Sequence, residues 1–200
     1  MTLTTRIAPI FLLGLTACSD VEKDDDHHDH HHDHEAISKV ILDLVSQADD
    51  TEQTVTYSDP QSKNGGADGA IELTAGTTYD LSITALNDEE TPVEDITIEI
   101  LMEDVEHQVF FTGSVIDEGL VTFTYEDEDS NGLPIGIDST LTGVAAGSGD
   151  LTITLQHMAF EDGNPVKRAG MADDVAAEGL AGIAGEGAAD FSIAFDLVVD

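Results

Sequence analysis

From Ala36 onward, apolar and polar residues alternate with a period of two, and this pattern limits the fold more than any other feature of the chain. Tyr79, Leu81, Ile83 and Ala85 alternate with polar partners, as do Val121, Phe123 and Tyr125. Leu151, Ile153, Leu155 and His157 form a third such face, and Phe191, Ile193, Phe195, Leu197 and Val199 a fourth. A strand points successive side chains to opposite faces, so each run predicts a strand with one buried face and one solvated face. Shorter candidates lie at 40–45, 54–58, 108–113 and 137–143, separated by Gly, Asn, Asp and Pro turns. The fold class this predicts is all-β, an antiparallel Ig-like β-sandwich.

Two segments depart from the pattern. Thr91-Pro92-Val93-Glu94 reads as a capping box, with an N-cap threonine, proline at the first helical position and glutamate at the third. It predicts one short helix near 92–104, although Ile96, Ile98 and Ile100 also fit a strand. The cap is the more specific signal. Residues 170–187, rich in Ala and Gly, read as a loose loop with a frayed helical turn after Asp173. Tryptophan is absent and aromatics make up 5% of the chain, so the core is expected to be built from Ile, Leu, Val and Phe.

The N-terminus gives an address. Arg6, the apolar run 7–15 and the sequence Leu15-Thr16-Ala17-Cys18 have the order of a cleaved lipoprotein signal, too short to span a bilayer. Residues 1–17 are then the signal peptide, and Cys18, the single cysteine, carries the lipid. The alternative is an ordinary secretory signal that leaves a free thiol. Multiple acyl chains hold a protein far more firmly than one, so a partner of the chain is the membrane itself, reached through the anchor. Ser19 stands where an aspartate would signal retention in the inner membrane, which points to the outer membrane of a bacterial envelope. With its thiol lipidated, the chain has no disulfide to lean on.

Residues 18–35 form an Asp/His-rich tether too polar to bury a core, and residues 36–200 form a single domain. A flexible coil of the tether's length spans roughly 20–25 Å. The formal charge of −36 repels phosphate backbones, which excludes nucleic acid as a partner. Such acidity suits cation binding, and equally suits a solvated surface in a saline habitat, so isolated carboxylate pairs carry little meaning.

Three groups of residues could hold metal. The tether places His27, His28, His30, His31, His32 and His34 close together, and neutral imidazoles bind divalent transition metals of the Zn or Cu class. A passive spacer is the alternative. In the body, His107 follows Glu103 and Glu106, and His157 ends an apolar strand face; together they would supply a transition-metal site if the fold brought them to one place. Asp127, Asp129, Asn131 and Asp138 have calcium-loop spacing, with Gly132 at the sharp turn, although an Asn-Gly turn needs no metal. No nucleophile elbow, phosphate loop or His-Glu-x-x-His helix is present. The chain is therefore not expected to be an enzyme, and no catalytic residues are predicted.

The acidic, histidine-rich leader, Glu106-His107-Gln108 before Val109-Phe110-Phe111, the Asp-x-Asp-x-Asn-Gly-x-Pro-x-Gly stretch from Asp127 to Gly136, and Leu155 to His157 go together. In these features the chain resembles a group of uncharacterised lipoproteins of Gram-negative bacteria, sometimes labelled type 1 periplasmic binding fold superfamily. That label implies a two-lobed α/β fold, whereas the residue pattern here shows no βαβ alternation. The function expected from the residues is an envelope lipoprotein that binds or delivers divalent metal. Ions would be captured loosely on the tether and passed to a firmer site near His107 and His157, with an outer-membrane transporter as a candidate partner. The competing expectation is a non-enzymatic Ig-like surface interaction or assembly module with structural calcium and a passive spacer.

Overall fold

The computed structural model describes residues 36–200; Cys18 and the tether histidines from His27 to His34 lie outside the described residues. The strands are β1 (Lys39–Ser46), β2 (Glu52–Ser58), β3 (Gly66–Ala67), β4 (Ile71–Leu73), β5 (Thr78–Asn87), β6 (Glu94–Asp95), β7 (His107–Thr112), β8 (Val121–Tyr125), β9 (Asp138–Gly143), β10 (Gly147–His157) and β11 (Ala188–Val199). Short helices interrupt them: α1 (Ile96–Met102), α2 (Ser114–Asp117) and α3 (Met171–Glu178). Every strand predicted from the alternation is present. One sheet has the order β3-β2-β1-β5-β9-β8 with β6 added beside β5, and the other has the order β4-β11-β10-β7. All pairings are antiparallel except that of β4 with β11. No helix among the described residues is long and apolar enough to cross a membrane.

The two sheets share one core. Val40, Leu42 and Leu44 of β1 and Leu81, Ile83 and Ala85 of β5 belong to the same buried cluster as Leu151, Ile153 and Leu155 of β10 and Ile193, Phe195, Leu197 and Val199 of β11. Each of these sets consists of alternate residues, so the period-2 pattern becomes the inner face of a sandwich. Burying one such aliphatic or aromatic side chain contributes about 1.5–3 kcal/mol before chain entropy is counted.

The capping box at Thr91 does not start the helix. Glu94 and Asp95 instead pair with Asn87 and Leu86 of β5, and Asp95 is the N-cap, accepting from the Thr97 amide at 3.1 Å. The start shifts because Ile96 and Ile100, one turn apart, are the residues that reach the core, while the Thr97 hydroxyl accepts from the Ala85 amide at 2.9 Å and fastens the turn to β5.

Residues 170–187 are more ordered than their composition predicts. They form α3 and a 3-10 turn over Gly179–Ile183, and Met171, Val175 and Ile183 pack with Phe110 and Met158 in a second, smaller cluster. Phe110 lies between Val109 and Phe111, which face the main core. β7 is therefore buried on both faces over most of its length.

Candidate metal centre

The antiparallel register of β7 and β10 places His107 directly opposite His157, two residues beyond the Val109 and Leu155 pair. Directly opposed residues share a face of the sheet, and the two imidazoles stack with ring centroids 4.5 Å apart and planes inclined by 23°. His107 is fully buried, and His157 retains 9% of its surface. Glu103, at the end of α1, brings a carboxylate to the same place: ligand atoms of Glu103, His107 and His157 all lie within 4.8 Å of one another. Glu106 closes the 3-10 turn Asp104–Glu106 and sets its Oε2 3.7 Å from His157 Nε2.

A third carboxylate approaches from the other side of β10. Leu155 pairs with Phe191 and Gln156 with Ala189, so Asp190 is the additional residue of a β-bulge in β11. A bulge turns a side chain to a face it would not otherwise reach. Here Asp190 and Phe191 are both buried although they are neighbours in a strand, and Asp190 Oδ2 lies 3.7 Å from His107 Nε2 with both side chains fully enclosed.

The protonation of His107 follows from its surroundings. Its Nδ1 faces the main-chain carbonyl oxygen of Glu103 at 3.2 Å. A carbonyl only accepts, so Nδ1 carries the proton and Nε2 holds the lone pair. Burial, followed by the nearby His157, pushes the imidazole down to about 4, with the Glu103 carbonyl opposing and Lys167 adding to the shift. At neutral pH His107 is an uncharged ring whose lone pair is aimed inward, the state in which histidine binds metal.

In the predicted calcium loop, the carboxylate oxygens of Asp127 and Asp129 are engaged. Asp127 Oδ1 accepts from the Gly136 amide at 2.6 Å, and its Oδ2 accepts from Ile137 and Asp138 at 2.9 and 3.0 Å. Asp129 Oδ1 accepts from the amides of Asn131 and Leu133, and its Oδ2 pairs with the buried Lys167 ammonium at 2.9 Å. Asp138 accepts from the Ser82 hydroxyl. Lys167 also donates to the Asp104 carbonyl at 3.0 Å. A lysine ammonium and backbone amides thus occupy acceptors at Asp127 and Asp129 that a calcium ion would use. Burial raises the Asp129 carboxyl, but Lys167 and the two amides outweigh it and leave the group below its ordinary value.

Sequence reasoning pointed to His107 and His157 without being able to place them together. Asp190 and Lys167 it missed. Strict alternation puts Asp190 on the solvent face, out of phase with Phe191, and nothing local signals a bulge there. The chain matches no family model, no curated protein and no solved structure.

Proposed function

We propose that the protein is a lipid-anchored envelope lipoprotein, outer-membrane in its most natural placement, that binds divalent transition metal of the Zn or Cu class and delivers it. The observation that carries this reading is the pairing of His107 with His157, fifty positions apart in sequence and register partners in space, beside Glu103. Two imidazoles and a carboxylate are a common ligand set for such ions. The role is binding, with an outer-membrane transporter as a recipient or donor.

The tether fits a capture step. The Ile37 amide donates to Gln61 Oε1 at 3.3 Å, and Gln61 Nε2 donates to the Asp190 carbonyl at 3.2 Å. Where the chain enters the domain is therefore linked by one side chain to the bulge that faces His107. His34 precedes Ile37 by three residues, roughly 10 Å of extended chain at most.

Calorimetric titration of Zn(II) and Cu(II) into the protein from residue 19, from residue 36, and with both body histidines changed to alanine tests the reading. One tight equivalent that survives removal of the tether and disappears in His107→Ala/His157→Ala is the expected result. If no form binds more tightly than about 100 μM, a weak affinity for a dedicated carrier, metal handling is wrong.

One observation favours the second reading, an interaction module. Ile98, Leu101 and Met102 lie on the side of α1 away from the core and are 56%, 46% and 73% exposed, with Val93 nearby in sequence at 55%. An apolar stripe left facing solvent is a feature of surfaces that meet a partner. A protein that shows no metal binding yet loses a co-purifying envelope partner on Ile98→Glu would belong to this class.

A further inference from the structure

We propose that Asp190 is a direct ligand of the ion, which makes the body site a two-histidine, carboxylate centre of the zinc(II) class with one wholly buried wall. This deepens the metal-binding reading and rests on it. The geometry comes first. Two ligand atoms bound at 2.0–2.1 Å to one tetrahedral ion stand about 3.4 Å apart, and His107 Nε2 and Asp190 Oδ2 stand 3.7 Å apart. Only a few tenths of an ångström separate that spacing from the bound one. The wider limit of 4.8 Å among Glu103, His107 and His157 requires a larger adjustment, which a surface glutamate makes easily.

The chemistry agrees. The Nδ1–H of His107 is directed to the Glu103 carbonyl, the arrangement by which proteins fix the tautomer of a metal-binding histidine and aim its other nitrogen at the ion. That other nitrogen, His107 Nε2, is buried and makes no hydrogen bond. It faces a carboxylate, and a lone pair opposed to a carboxylate oxygen in an enclosed space is stabilised by a cation between them. The bulge supplies the reason that this carboxylate is there, since a regular β11 would turn Asp190 outward. Nitrogen and oxygen ligands without sulfur suit Zn(II) in tetrahedral geometry and do not favour Cu(I). The exposed Glu103 and the partly exposed Glu106 form the open side, by which an ion would enter from solvent.

The test uses the full mature chain with His27, His28, His30, His31, His32 and His34 changed to asparagine, so that only the body reports. Zn(II) affinity is measured by calorimetry, and Co(II) serves as the spectroscopic probe because its visible absorption is intense when tetrahedral and weak when octahedral. One equivalent with an intense band is expected, and Asp190→Asn is expected to weaken Zn(II) by at least tenfold and to collapse the band. Unchanged affinity and spectrum in Asp190→Asn would remove Asp190 from the ligand set while leaving the metal reading intact. Absence of binding in the parent protein would end both. Should Asp190→Asn fail to fold, Glu103→Ala/Glu106→Gln decides, because these side chains lie towards solvent: a tetrahedral band that persists requires the buried carboxylate, and its loss makes the glutamates the only acidic ligands and overturns the proposal.

Discussion

At the scale of single residues, the region beside the candidate metal centre depends on groups that have no freedom to vary. Gly136 has φ +91, and a Cβ there would stand 2.8 Å from the Tyr125 ring and 2.9 Å from Val109 Cβ. Gly136→Ala therefore combines a left-handed backbone with an overlap under β7, and it is expected to lower stability by roughly 2–4 kcal/mol in urea titration, with an unchanged m-value. Asp129 gives a pH prediction. Lys167 and two backbone amides hold its folded-state pKa below the ordinary carboxylate value, so its contribution is complete above that value and is lost as the pH falls through the folded one. Asp129→Asn, which leaves Lys167 without its carboxylate, is expected to cost about 3 kcal/mol at pH 7. The gap to the parent should narrow as the pH falls through the lowered folded-state value, when the parent's own carboxylate takes up a proton. A gap that stays constant from pH 7 down to the acid-unfolding transition would show that the Lys167 pair does not carry the effect.

At the scale of elements, α1 shows how a helix can be legible while its boundaries are not. The expectation of a helix near 92–104 holds, but the cap passed from Thr91 to Asp95, because a capping motif acts locally whereas the turn begins where Ile96 and Ile100 find the core. The two faces of α1 should respond differently to truncation. Ile100→Ala is expected to cost 2–5 kcal/mol by thermal or urea unfolding, and Leu101→Ala to stay within about 0.5 kcal/mol; equal losses would mean that the exposed stripe is covered in the isolated protein. The 170–187 segment was hidden for the opposite reason. Its Ala and Gly residues have no clear period, and the apolar Met171, Val175 and Ile183 become a face only against Phe110 and Met158. β11 is the sharpest case. Its alternation from Phe191 to Val199 is evident in the sequence, yet the one residue that leaves the phase, Asp190, is the one that reaches His107.

For the molecule as a whole, charge sets the conditions of stability. A formal charge of −36 makes the folded state repel itself, so added salt is expected to raise the melting temperature of the metal-free protein as the repulsion is screened. Zinc should act above this background. An ion that binds only the folded form stabilises it by about 2.7 kcal/mol at one hundred times its Kd, which for a domain of this size is on the order of 5–10 °C. Differential scanning fluorimetry with zinc, followed by excess chelator, is expected to show the rise and its reversal. Calcium at the same concentration should leave the transition in place, since Asp127 and Asp129 already bond to amides and to Lys167. A calcium-dependent rise would restore the loop as an ion site.

The sequence by itself determined which stretches are strands and which side of each is apolar, because the direction of a side chain along a strand is a local property with a period of two. It also determined the chemical inventory: carboxylates in large excess, eight histidines, and a single cysteine near the N-terminus. Only the tertiary structure decided which residues meet. The register of β7 against β10 sets His107 opposite His157, and one additional residue in β11 sends Asp190 inward. Register and bulges depend on how two sheets fit across a shared core, a long-range condition that no local period encodes, and the candidate metal centre stands where those long-range decisions converge.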